Sequence, residues 1–241
     1  MQAEEAAPRP SSTVVLVRAG DPRPEVFMVK RHAGSSFGSR FAFPGGVLEA
    51  SDALVHDAGS GLSVQQAGRL LQLDRGALDY YSAAIRELFE ESGVLLAAHG
   101  LSATELQESR AALNEGSLRW DRFVRARRLQ LHYDRLHYFS FWITPPGIAK
   151  RYSTRFFLAE LPAAQDASHD GCELVESCWM PAADILAARK LRQMQLPYPT
   201  RKTLKRVAVF DGTTDLLNWA RACGDKGVVC NRPAFKPEML R

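Results

Sequence analysis

The chain reads as a single α/β domain with inserted pieces, and three observations carry that reading. β-Branched and apolar runs precede a central helix. Further runs of the same kind follow it, and the chain then ends in helical patterns. No linker is rich enough in Pro, Gly or Ser to cut the 241 residues in two. Strands on both sides of a helix, with more helices beyond, favour layers around one sheet.

Residues 1–10 form a Pro/Ala/Glu stretch expected to be a loose tail, with the domain over 11–241. The runs at 12–17 and 25–30 read as strands, and Gly20-Asp21-Pro22-Arg23-Pro24 between them reads as a hairpin turn. Phe41-Ala42-Phe43 is a third short strand, stopped by Pro44-Gly45-Gly46. Residues 53–78 alternate weakly and contain Gly59-Ser60-Gly61, which marks an insertion with one short helix. A helix is expected over 83–92, with Gly93 in the C-terminal cap position. Residues 103–131 carry helical periodicity and many arginines, so one or two inserted helices are expected beside the core. Strand patterns return at 138–143, 154–161 and 174–179. Residues 181–190 read as an amphipathic helix, and a helical C-terminal end is expected over about 197–223.

An apolar share of 46% and a charged share of 24% are ordinary for a globular chain and argue against disorder. A net charge of +4 fits acidic ligands, and no dense Lys/Arg tract with interleaved aromatics points to nucleic acid. The acidic start Met1-Gln2-Ala3-Glu4-Glu5 is unlike a secretory signal, and no apolar run approaches a membrane span. Cys172, Cys178, Cys223 and Cys230 lack C-x-x-C spacing, so reduced thiols and a cytoplasmic location are expected. The six histidines show no paired ligand spacing.

The chemistry concentrates in Arg86-Glu87-Leu88-Phe89-Glu90-Glu91-Ser92-Gly93. On a helix Glu87, Glu90 and Glu91 are related by steps of three and four, which puts three carboxylates on one face. Three anions that close repel one another unless a cation sits among them. Hard divalent ions accept such oxygen ligands and keep room for water and substrate phosphates. Arg86, four residues before Glu90, is placed to hold a carboxylate, while Ile85, Leu88 and Phe89 form the stripe that docks the helix. A solvated acidic face is the commoner use of such residues. Yet the pattern Arg-Glu-x-x-Glu-Glu-x-Gly arises by chance about once in a million start positions, which favours the metal. The turn at Phe43-Pro44-Gly45-Gly46 adds bare backbone carbonyls where glycine permits close approach.

These residues resemble the Nudix hydrolase family, whose box reads G-x5-E-x7-R-E-U-x-E-E-x-G-U with U apolar. Gly46 matches the first glycine, Arg86 through Gly93 the second half, and Val94 the final apolar position. The resemblance implies an α/β/α sandwich around a mixed sheet. It implies Mg²⁺ or Mn²⁺ on Glu87, Glu90 and Glu91, with the Gly46 carbonyl as a further ligand, and a catalytic set of Arg86, Glu87, Glu90 and Glu91. Two departures stand out. Asp52 occupies the place of the first glutamate, and roughly thirty residues replace the x7 spacer. An interrupted box of this kind, with Phe43-Pro44-Gly45-Gly46-Val47-Leu48-Glu49-Ala50, resembles the branch that includes the peroxisomal coenzyme A diphosphatase of mammals.

By that resemblance the chain cleaves a diphosphate bond, with coenzyme A or its acyl esters as the leading substrate. ADP-ribose or another nucleoside diphosphate derivative is the alternative, and a non-catalytic nucleotide sensor is a third reading. Arg31 and Arg151 are the substrate-binding candidates, with Lys30, Lys150, Arg155 and the arginines of 119–128 as further cations. The general base is expected to be Glu87 or a loop carboxylate such as Glu173 or Glu176. The expected partner is a small nucleoside diphosphate derivative, without nucleic acid or membrane; homodimerisation stays open. The terminal Met239-Leu240-Arg241 is not a Ser-Lys-Leu peroxisomal address, which again favours the cytoplasm.

Overall fold

A computed structural model of the chain describes residues 7–31, 40–171 and 174–234. In chain order β1 is Arg9–Arg18, β2 Glu25–Arg31, β3 Phe41–Ala42 and β4 Gly45–Val47. After two short 3₁₀ turns come β5 at Gly59–Ser60, α1 at Val64–Leu71 and α2 at Ala77–Ser92. The next pieces are β6 at Ala97–Ala98, α3 at Ala103–Asn114, α4 at Trp120–Ala126 and β7 at Gln130–His132. The chain continues through β8 at His137–Ile143, β9 at Tyr152–Glu160 and β10 at Leu174–Pro181. It closes with α5 at Ala182–Lys190, α6 at Tyr198–Val207, α7 at Thr213–Asp225 and β11 at Cys230–Asn231.

Among the described residues the main sheet has eight strands, in the order β10-β2-β1-β9-β8-β11, with β3 against β2 and β4 against β1. It is mixed. β1 runs parallel to β9 through nine register pairs, and β8 parallel to β11, while the remaining pairs are antiparallel. Alternation along β1 divides the core. Val14 and Leu16 pack with Tyr81, Ile85 and Leu88 of α2, whereas Val15 and Val17 pack with Leu204 of α6 and Leu216 of α7. The sheet therefore lies between helices on both faces, as the α/β/α reading requires.

The structure corrects several element boundaries. β1 begins at Arg9, inside the expected tail, because the Arg9 N–H donates to the Arg151 carbonyl and Pro10 accepts from Leu48. Phe43 and Pro44 carry the chain from β3 on β2 to β4 on β1, and Gly45-Gly46 form a strand on β1 in place of a turn. α2 starts at Ala77, a turn and a half before residue 83, since burial of Tyr80 and Tyr81 outweighs their preference for strands. α1 within the first insertion begins on a capping box in which Ser63 and Gln66 bond reciprocally. α4 does not stand beside the core. Trp120 and Phe123 are each 1% exposed and join the cluster under α2, and 130–132 then leave the helical pattern as a strand between β5 and β6. No helix among the described residues is long and apolar enough to cross a membrane.

Phe89 joins the central helix to the second insertion. Its ring is fully buried and lies parallel to Phe123, with centroids 5.5 Å apart. Phe89→Ala should destabilise the fold by about 3–5 kcal/mol, the cost of an unfilled aromatic site, read as a drop in the urea midpoint at unchanged slope.

Candidate active site

Arg86 is 2% exposed at the middle of α2, and every bond to its guanidinium comes from an element the site needs. Nε and Nη2 donate to the two oxygens of Asp52 at 3.0 and 3.1 Å, a bidentate pair. Nη1 donates to Glu87 at 2.8 Å and to Glu90 at 3.0 Å. Nη2 also donates to the Val47 carbonyl of β4 at 2.9 Å. Burial works against the charge on Arg86, but Glu87, Asp52 and Glu90 outweigh it and hold the guanidinium charged.

Asp52, in the place of the first glutamate of the box, turns to Arg86. It is fully buried in the turn after β4, where it accepts from the Glu49 N–H at 2.8 Å and turns both oxygens to Arg86. Burial raises its pKa even so. The Ser82 hydroxyl donates to Asp52, and Trp120 Nε1 donates to Ser82 at 3.0 Å, so the second insertion is wired to the site. Ser82 lies one turn before Arg86, just outside the helix expected over 83–92, and nothing in the sequence pointed to Trp120.

Gly46 sets the distance between α2 and the sheet, and Gly45 lets β4 close on β1. A Cβ on Gly45 would overlap the Ser12 carbonyl, and one on Gly46 would overlap the Glu87 carboxylate. The Gly45 N–H donates to Glu91 at 2.8 Å. Glu87, Glu90 and Glu91 are thus brought together with Gly46. Burial pushes the Glu90 carboxyl up to about 8, with Arg86 opposing the rise and Glu87 adding to it.

Among the described residues no three acidic, His or Cys side chains stand arranged as a ready metal site. The reason is visible in the bonds: Glu87 and Glu90 are drawn to Arg86, and Glu91 to the Gly45 N–H. The donor set nonetheless fits a divalent cation. One guanidinium faces Asp52, Glu87 and Glu90, with Glu91 beside them, and all the donors are oxygens of the kind that hard ions accept.

A cavity of about 850 Å³ opens where Gly45, Gly46, Glu87 and Glu91 meet the sheet. Ser11 and Thr13 of β1, of the same parity as Val15, form part of its floor, so it lies on the face away from α2. Lys150 lines it, as do two cations the sequence reading did not single out, Arg9 and Arg40. Arg151 does not. Strand alternation turns Tyr152, Thr154 and Phe156 of β9 to the cavity, and Lys150 reaches it from the segment before β9, while Arg151 donates through Nε to the Thr144 carbonyl at 3.2 Å. The Arg31 side chain lies outside the described residues, as does Glu173. Lys30 and Glu176 pair at 2.8 Å away from the cavity. Arg155 is buried between Tyr80 and Phe141 at 4.2 and 4.5 Å from their ring centroids. Arg119 and Arg122 face Asp121, Arg125 faces Asp57 and Arg127 faces Glu105, all remote from the cavity.

The fold is that of a Nudix hydrolase: it resembles the crystal structure of a Nudix hydrolase from Alicyclobacillus acidocaldarius with a TM-score of 0.77. The two share 27% identity, over 88% of this chain and 96% of that one. Within that class the family model of the NUDT19 Nudix domain matches residues 72–207, more than half of the 241, and the chain belongs to that family. It is similar to the acyl-coenzyme A diphosphatase NUDT19 of Xenopus laevis, 26% identical over 234 residues, which are 80% of this chain and 62% of the relative. The Homo sapiens protein of the same name is 30% identical over 149 residues, covering 55% of this chain and 40% of its own length. The chain therefore spans about 40–60% of the length of these curated relatives.

Asp52→Asn keeps the shape of the buried pair and removes its charge. It should cost about 3–5 kcal/mol in urea unfolding, because Arg86 is left buried without its bidentate partner.

Proposed function

We propose that this chain hydrolyses the diphosphate bond of coenzyme A or its acyl esters with Mg²⁺ or Mn²⁺ at Glu87, Glu90, Glu91 and the Gly46 carbonyl. The observation that supports this most is the gathering of three helix carboxylates at Arg86 and Gly45, two of them, Glu87 and Glu91, lining a cavity that Arg9, Arg40 and Lys150 also line. The names of the relatives from Xenopus laevis and Homo sapiens support the choice of coenzyme A esters. A bound divalent ion would supply charge neutralisation at the phosphates and a water of lowered pKa.

The chain's own residues divide the remaining work. Arg86 holds Glu87 and Glu90, and the Gly45 N–H holds Glu91, so the three carboxylates stay gathered at one end of the cavity and would turn from these donors to take up an ion. Glu87 lines the cavity and is only 9% exposed, which suits it to take a proton from the attacking water. That water adds to one phosphorus, the P–O bond to the bridging oxygen breaks, and the second phosphate leaves as a monoester. Arg9, Arg40 and Lys150 offer cationic contacts to the phosphates. Arg151 acts from behind: its carbonyl accepts from the Arg9 N–H at 2.9 Å, and its side chain bonds Thr144, which braces the segment carrying Lys150.

Glu90→Gln combined with Glu91→Gln should lower hydrolysis by about a hundredfold or more, measured by phosphate-product release. The same double variant should lose the rise in Tm that Mg²⁺ gives the unaltered chain, a readout independent of turnover. Full hydrolysis by the double variant would overturn the catalytic assignment. Mass spectrometry after incubation with coenzyme A, an acyl ester and ADP-ribose should show 3′,5′-ADP with 4′-phosphopantetheine or its acyl form. Cleavage of ADP-ribose alone would displace coenzyme A as the substrate.

A further inference from the structure

The positive charge of the chain is concentrated in one segment. From Ile185 to Phe210 there are seven Lys and Arg and no Asp or Glu, although the whole chain carries only +4. This segment is the end of α5, the loop after it and α6, and the two helices pack together on the sheet face opposite α2. Thr200, Thr203, Leu204 and Val207 are the buried side of α6. At 3.6 residues per turn, Arg201, Lys202, Lys205 and Arg206 fall within about 140° of arc on the other side. Arg189, Lys190 and Arg192 continue the cations at the end of α5.

Among the described residues none of the seven has a carboxylate within ion-pair distance. The arginines of the second insertion differ, since Arg119, Arg125 and Arg127 each face an acid. Two large apolar side chains stand among the unpaired cations. Leu191, between Lys190 and Arg192, is 70% exposed, and Val209, three residues past Arg206, is 72% exposed.

Cations alone would suit any polyanion, and the apolar pair narrows the choice. An anionic bilayer accepts both groups, with phosphates for the cations and the acyl boundary for Leu and Val. A nucleic acid instead calls for open aromatic faces between the cations. Here Tyr198 packs on Trp142, and Trp219 on Phe139 and Phe210. Arg201 and Lys202 lie over the first ring, and Arg206 over the second.

We propose that α6 and the end of α5 form a docking face for an anionic lipid surface, with Leu191 and Val209 entering the headgroup layer. Residues 197–200, at the start of α6, also line the cavity, so docking sets the cavity beside the bilayer. The contact is peripheral, and it replaces the expectation of no membrane partner, which rested on the lack of a spanning segment.

The test is sedimentation of the full chain with vesicles of phosphatidylcholine, with and without phosphatidylglycerol. Binding should appear with the mixed vesicles alone and weaken as salt rises. Lys202→Gln combined with Lys205→Gln should lower partitioning roughly 25-fold, near fivefold per charge. Leu191→Ser with Val209→Ser should lower it roughly tenfold. Arg69→Gln with Arg75→Gln removes the same charge from the first insertion and should leave binding unchanged. Unfolding midpoints check that each variant is folded. Equal sedimentation with both vesicles, including none with either, overturns the docking face. Full binding by the lysine or the serine variant does so too, as does an equal loss in the Arg69 and Arg75 variant. Tighter retention by an RNA oligonucleotide, lost in the lysine variant, overturns the lipid reading in favour of nucleic acid.

Discussion

The site depends on one buried cation. Arg86 joins a strand through the Val47 carbonyl, a turn through Asp52, and its own helix through Glu87 and Glu90. A guanidinium suits this role because its rigid fork presents several donors in one plane, and because it stays charged when desolvated. A lysine there would be a point charge with no bidentate match to Asp52. The same cation is outnumbered by the carboxylates around it. Burial and the neighbouring carboxylates push the Glu90 carboxyl up to about 8. A cluster of this kind offers the oxygen donors that a divalent ion accepts.

Gly45 and Gly46 translate that charge across the sheet. α2 packs on one face, and the cavity opens on the other. The carboxylates reach it because the two glycines present no side chain between helix and sheet. The strand pairing of β4 with β1 does more than close a sheet edge. It sets the level at which Val47, Ser11, Thr154 and Trp142 line up, so one register defines both the glutamate end and the far wall of the cavity.

What was legible in the sequence was local. Glu87, Glu90 and Glu91 share a face because helical spacing dictates it, and Gly93 ends α2 in a left-handed cap at φ 77°. The parallel pairing of β1 with β9 joins residues 143 positions apart, and no periodicity announces such a partner. The same limit explains Arg151. A cation next to an aromatic strand looked like a phosphate contact, but Lys150 and Arg151 lie in the segment leading into β9, and which of the two faces the cavity is set by the bond of Arg151 to Thr144, which adjacency in sequence does not reveal. Trp120 was hidden for a related reason, since its bond to Ser82 spans 38 residues and forms only once α4 packs on α2.

The long spacer between Asp52 and Arg86 now has a physical account. Stretching a seven-residue spacer to the 33 residues between these positions raises the loop-closure cost by only about 1.4 kcal/mol, because that cost grows with the logarithm of length. The insert returns more than this. Val55 and Ala67 are fully buried and Leu71 is 2% exposed in the same cluster as Tyr81 and Phe89. Burying a single side chain of the Val or Leu type contributes about 1.5–3 kcal/mol. The buried bidentate pair then fixes the two ends of the insert against each other, whatever lies between them. Spacer length is therefore a weak constraint on this site, whereas the meeting of Asp52 with Arg86 is a strong one.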